Sequence, residues 1–80
     1  MKYIRHDRIG FVLWQSIGGR PAHSEVAAMI LKDQGGAIVS AGFVMYSDAT
    51  GPHCFGDSGS LQLSSQPGDT DALKAQLASI

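Results

Sequence analysis

The stretch Gly36–Leu63, GAIVSAGFVMYSDATGPHCFGDSGSLQL, contains a long alternating run that only an extended chain can satisfy. Val39, Ala41, Phe43 and Met45 fall on one side of it, and Ile38, Ser40, Gly42, Val44 and Tyr46 on the other, so Ala37–Ser47 is predicted as a strand. Asp48-Ala49-Thr50-Gly51-Pro52 is a turn by composition, because Gly51 tolerates a positive φ and Pro52 has no N–H for a ladder. A second strand starts at His53. His53, Phe55, Asp57, Gly59, Leu61 and Leu63 would share one side, and the interruption at Asp57 and Gly59 predicts one long strand bulged near Gly56–Gly59. A tight turn at Asp57-Ser58-Gly59, splitting the segment into two short strands, is the alternative. Whatever else the chain forms must pack against this hairpin.

Upstream, YIRHDR at residues 3–8 reads as a polar lead-in to a strand over about 8–15. Ile9, Phe11 and Leu13 share one face of that strand; Val12 and Trp14 lie on the other, so both faces need cover. Gln15–Arg20 is a loop broken by Gly18-Gly19. Ala22–Asp33 is predicted as a helix, with Val26, Met29, Ile30 and Asp33 at helical spacing, Ser24 and Glu25 favourable at its start, and Gln34-Gly35-Gly36 as its stop. Ser64–Gly68 is a second loop. Asp69 or Thr70 can cap a terminal helix whose inner face carries Thr70, Leu73, Leu77 and Ile80, with Lys74 and Gln76 pointing away. The order β-α-β-β-α predicts an α+β fold: a small two-layer sandwich with an antiparallel-rich, three-stranded sheet and helices on one face.

Eighty residues make a single domain, 1–80. Apolar residues make up 44% and charged residues 16%, below the roughly 25% of an ordinary domain. So little charge leaves apolar surface to cover, which predicts a homodimer or a protein partner. The sheet face free of helices, with Trp14, Val12, Ile38, Val44 and Tyr46, is the expected interface. No run is long and apolar enough for a transmembrane span or a secretory leader, so a cytoplasmic, non-membrane location is expected.

The sharpest local pattern is Cys54-Phe55-Gly56-Asp57-Ser58-Gly59, preceded by Ser40-Ala41-Gly42-Phe43. It resembles the serine-nucleophile segment of chymotrypsin-like serine proteases, which run Cys-x-Gly-Asp-Ser-Gly-Gly-Pro. The resemblance implies Ser58 as nucleophile, with backbone N–H groups at Gly56 and Ser58 as oxyanion donors. It covers about six residues. Ser60-Leu61 replaces Gly-Pro, nothing upstream supplies the family's histidine segment, Cys54 has no second cysteine to pair with, and the chain is too short for two barrels. The residues themselves predict a bulge at Gly56 and Gly59, with Asp57 and Ser58 bonded to nearby backbone.

No metal or cofactor is expected. His53 and Cys54 are adjacent in a strand and point to opposite faces, and His6 and His23 lack a partner at helical spacing. The Gly18-Gly19 and Gly35-Gly36 pairs have the spacing of neither nucleotide fingerprint. The N-terminal part is basic, with Lys2, Arg5, Arg8 and Arg20 interleaved with Tyr3 and Trp14, although the net charge is −1. Three readings follow. The first is a non-enzymatic protein-interaction domain, of accessory or inhibitor type, that self-associates. The second is nucleic-acid binding through the four basic residues. The third is hydrolysis at Ser58.

Overall fold

A computed structural model describes residues 1–79. The elements run β1 (Lys2–His6), β2 (Gly10–Trp14), α1 (His23–Gln34), β3 (Ile38–Ser47), β4 (Gly51–Phe55), β5 (Asp57–Ser58), β6 (Leu63–Ser64) and α2 (Asp69–Ala78). Strands β2-β1-β3-β4 form one antiparallel sheet, and β5 and β6 form a separate small hairpin. The α+β class is as expected. The strand count and the placement of the helices are not.

The additional strand is β1, and it is an inner strand of the main sheet. Its polar composition hid it. Tyr3 and Ile4 are wholly buried, and the polar heads beside them are taken up one by one. His6 Nε2 lies 2.7 Å from the Gly35 carbonyl, while Nδ1 accepts the Arg8 and Ile9 amides at 3.0 and 3.3 Å. Those contacts place the proton on Nε2, since a carbonyl can only accept and an amide can only donate. The 3.4 Å approach of Asp7 Oδ1 to Nδ1 is therefore not an ion pair, because that nitrogen carries a lone pair. The strand expected at 8–15 shortens to Gly10–Trp14, and Ile9 sits in the exposed turn between β1 and β2.

The helices lie on opposite faces, making helix–sheet–helix layers in place of two. Ladder pairing puts Tyr3, Phe11, Leu13, Val44 and Cys54 on one face, where Leu73 of α2 completes the cluster. Ile4, Val12, Trp14 and Ala41 occupy the other, against Ala27, Val26 and Ile30 of α1. Consecutive residues such as Phe11, Val12 and Leu13 are apolar on both sides of the strand, so one helical layer could cover only half of them. A bulge also intervenes in β3. The register slips between Arg5 and His6, so that His6 pairs with Ile38 and Arg5 with Ser40. Val39 is the extra residue and is exposed, and Ile38 turns to the α1 face, opposite to Val44 and Tyr46.

Past β4 the chain is not one bulged strand. Gly56 takes φ 75°, the left-handed region that favours glycine, and turns the chain out of the sheet into the β5–β6 hairpin. That hairpin lies against β3, where Leu61 and Leu63 join the α1-face cluster. It also caps α1 from outside, since Ser24 N–H donates to Ser60 Oγ at 3.2 Å; the helix's own Glu25 Oε1 accepts the Ala22 amide at 3.0 Å. The other end of α1 stops at Gly35, φ 64°, as its composition predicts.

Candidate functional site

The β3–β4 pair outruns the rest of the sheet. Strand β1 follows β3 only as far as Lys2 opposite Phe43, with Met1 adding one exchange to Val44, so Met45–Ser47 and Gly51–His53 continue as a two-stranded ribbon. Its side chains alternate between two faces, and large apolar ones are bare on both. Met45 is 60% exposed on the α1 side, next to Phe55, and Tyr46 is 70% exposed on the α2 side. At the base of the ribbon on the α2 side is an open groove of about 430 Å³, lined by Leu13, Val44, Tyr46, Pro52, Leu73 and Leu77, with Met1 and the polar Gln15 completing its wall. The chain therefore presents a large ring, Tyr46, beside a hollow of apolar walls. Such a site receives an apolar side chain without asking it for hydrogen bonds.

The sheet's outer edges contrast with this openness. On β4 the outward residues are Pro52, which has no N–H, and Cys54, whose N–H donates to Thr70 Oγ1 at 2.9 Å. On β2 the Gln76 side chain behaves like a residue of a fifth strand. Its Oε1 accepts the Phe11 N–H at 2.8 Å, and its Nε2 donates to the Phe11 carbonyl at 3.2 Å. Gly10 makes room for that amide, since a Cβ there would collide with Gln76 Oε1. Gln76 thus points at the sheet, where its helical position had suggested solvent. Side chains of α2 thus occupy one outward position on each edge, Phe11 on β2 and Cys54 on β4, and Pro52 removes a donor beside the latter, all of which oppose strand addition.

The start of α2 is anchored by a buried ionic cluster. Asp69, wholly buried, accepts the Tyr3 hydroxyl at 2.6 Å, the Arg5 guanidinium at 3.0 Å and the Gln66 amide at 3.0 Å. Arg5 in turn lies over the Phe11 ring, 5.2 Å from its centroid. Burial pushes the Asp69 carboxyl up, but these donors outweigh it and hold it below its ordinary value. The Tyr3 hydroxyl is pushed up, by burial first and by the Asp69 carboxylate second. Burial likewise raises the Cys54 thiol, with the Asp69 charge adding to it, which makes it a poor nucleophile. Asp69 and Thr70, the expected helix caps, are thus both occupied elsewhere, and Gly68 holds the cap position.

No family model, curated protein or solved structure matches this chain.

The residues singled out by sequence are distributed as follows. Of the expected interface set, Val12, Trp14 and Ile38 pack under α1, whereas Val44 and Tyr46 are on the α2 face, so the five do not share a surface. The basic residues are dispersed as well. Lys2 donates to the carbonyls of Gly19 and Pro21, Arg5 is bound to Asp69, and Arg20 pairs with Glu25 at 2.8 Å. Arg8 has no ion-pair partner among the described residues. Ser58 is buried and its Oγ accepts the Leu61 amide, with Ser60 Oγ 3.4 Å away. The three imidazoles are engaged elsewhere. His6 is on Gly35, His23 Nε2 is 2.7 Å from the Gly42 carbonyl, and His53 stacks on Phe55. Among the described residues no three His, Cys, Asp or Glu side chains converge as a metal site, and no helix is long and apolar enough to cross a membrane. Ile80, expected on the inner face of α2, lies outside the described residues.

Sequence reading missed Met45 and Phe55 as surface residues. The only signal for them was β3's length. A strand longer than its neighbours must project, and its apolar side chains then lose their cover.

Proposed function

We propose that this chain is a non-enzymatic, cytoplasmic protein-interaction domain that pairs with a second copy of itself through the β3–β4 ribbon. The observation that carries this reading is the exposure of Tyr46 beside a largely apolar groove, with Met45 exposed on the opposite ribbon face. A second copy is favoured as the occupant because the patch is self-complementary. Tyr46 is both the projecting ring and a wall of the hollow, so a two-fold axis lets each copy fill its partner's groove. A standard interface removes about 800 Å² per partner, roughly a sixth of this chain's 4934 Å². The closed edges favour contact through side chains over extension of the sheet. Engagement of Lys2, Arg5 and Arg20 within the protein favours this reading over a polyanion surface.

Size exclusion with light scattering over a concentration series tests the proposal. The expected result is a dimer at tens of micromolar that dissociates on dilution, and a monomer for the Met45→Ser/Tyr46→Ser variant. A wild-type chain that remains monomeric throughout overturns it.

A further inference from the structure

The two edges of the main sheet are far apart in space yet are closed by one helix. Thr70, in the first turn of α2, holds Cys54 on β4; Gln76, in the last, holds Phe11 on β2. Between them α2 crosses the sheet with Leu73 as its one buried apolar side chain, and the groove beneath Leu73 and Leu77 leaves its second half lightly seated. The helix is therefore a strap fastened at three points: the Asp69 cluster with Thr70, the Leu73 contact, and the Gln76 amide. The polar fastenings replace backbone partners that a neighbouring strand would otherwise supply.

From this geometry we infer that α2 is a detachable guard that opens as a unit, so that releasing one edge of the sheet releases the other. In the closed state the outward groups of Phe11 and Cys54 are taken, which opposes strand pairing at both edges. When α2 lifts, the outward groups of Phe11 and Cys54 are bared together; the β2 edge then becomes competent to pair with an extended segment, while Pro52 still leaves the β4 edge one donor short. Neither fastening uses Met45, Tyr46 or another residue of the ribbon, but Leu73 and Leu77 wall its groove, so the test is made where the chain is monomeric.

Amide hydrogen exchange followed by NMR, at a concentration where the chain is monomeric, tests it. In Gln76→Ala the amide of Cys54, at the opposite edge, is expected to exchange about three- to tenfold faster, as the loss of an ordinary hydrogen bond implies. In Thr70→Val the amide of Phe11 is expected to accelerate by a similar factor. Amides within α1 should keep their rates, which separates opening of α2 from general loss of stability. Thr70→Ser, which retains the hydroxyl, should restore protection at both edges. Acceleration confined to the mutated edge, or no acceleration at either, overturns the inference.

Discussion

Two regions of this domain depart from the usual placement of residue types, in opposite directions. Around strand β1, polar groups lie inside: the Tyr3 hydroxyl and Asp69 are buried together on the α2 face, and the ring of His6 is buried on the other face at the end of α1. At the ribbon, apolar groups lie outside: Met45 and Tyr46 face solvent, with Phe55 half-exposed at its base. The difference is in their partners. Asp69 has three donors on it, and His6 has a hydrogen-bond partner on each nitrogen, so their burial is satisfied locally and serves the fold. The exposed ribbon residues have no comparable cover among the described residues, which is why we propose them as a surface for association.

The comparison is broken most forcefully at Asp69. Asp69→Ala leaves the Tyr3 hydroxyl and the Arg5 guanidinium without their acceptor, and should cost about 3 kcal/mol in urea unfolding. A loss below about 1 kcal/mol would mean that the cluster does not anchor α2. Gly10→Ala comes next. It puts a side chain at φ 80° and pushes the Gln76 amide off Phe11, for a cost of about 2 kcal/mol by the same measurement. A cost of a few tenths would show that the Gln76 fastening is dispensable.

Acid sharpens the same contrast. The folded carboxyl of Asp69 lies below its unfolded value, so its contribution is whole above the ordinary carboxylate range and is lost as pH falls through the depressed value. Unfolding followed against pH should show wild-type stability declining in acid, and a shallower decline for Asp69→Asn. Parallel curves would remove Asp69 as the source. The smallest effect on stability belongs to the ribbon. Met45→Ser and Tyr46→Ser, at positions so exposed, should change unfolding by no more than about 0.5 kcal/mol, although together they are expected to abolish the proposed self-association. A large loss of stability from either would show the ribbon to be part of the core.

The same contrast explains what could be read from sequence. The β3–β4 hairpin, α1 and α2 follow from periodicity and glycine stops, because their signals are local. Strand β1 did not, since Arg5 and His6 look like surface residues until Asp69 and Gly35, far along the chain, are brought beside them. Gln76 was misplaced for the same reason: helical spacing cannot foresee that a strand edge will stand in front of it. Ile38 was assigned to the wrong face because a bulge at Val39 breaks a strict alternation with no local mark. Ser58 lies in the segment that most resembles a catalytic one. The structure gives its hydroxyl a backbone partner, the Leu61 amide. Tyr46 alone of the expected interface residues stands out as strongly exposed.

The claim that copies meet at the ribbon is tested most directly by a dilution series of amide spectra. From tens of micromolar downward, the account predicts concentration-dependent shifts grouped at Val44–Ser47, Gly51–Phe55 and Leu77, around the exposed ribbon and its groove. Shifts grouped instead on the outer edge of β2, at Phe11 and Leu13, or no shifts at any concentration, would contradict it.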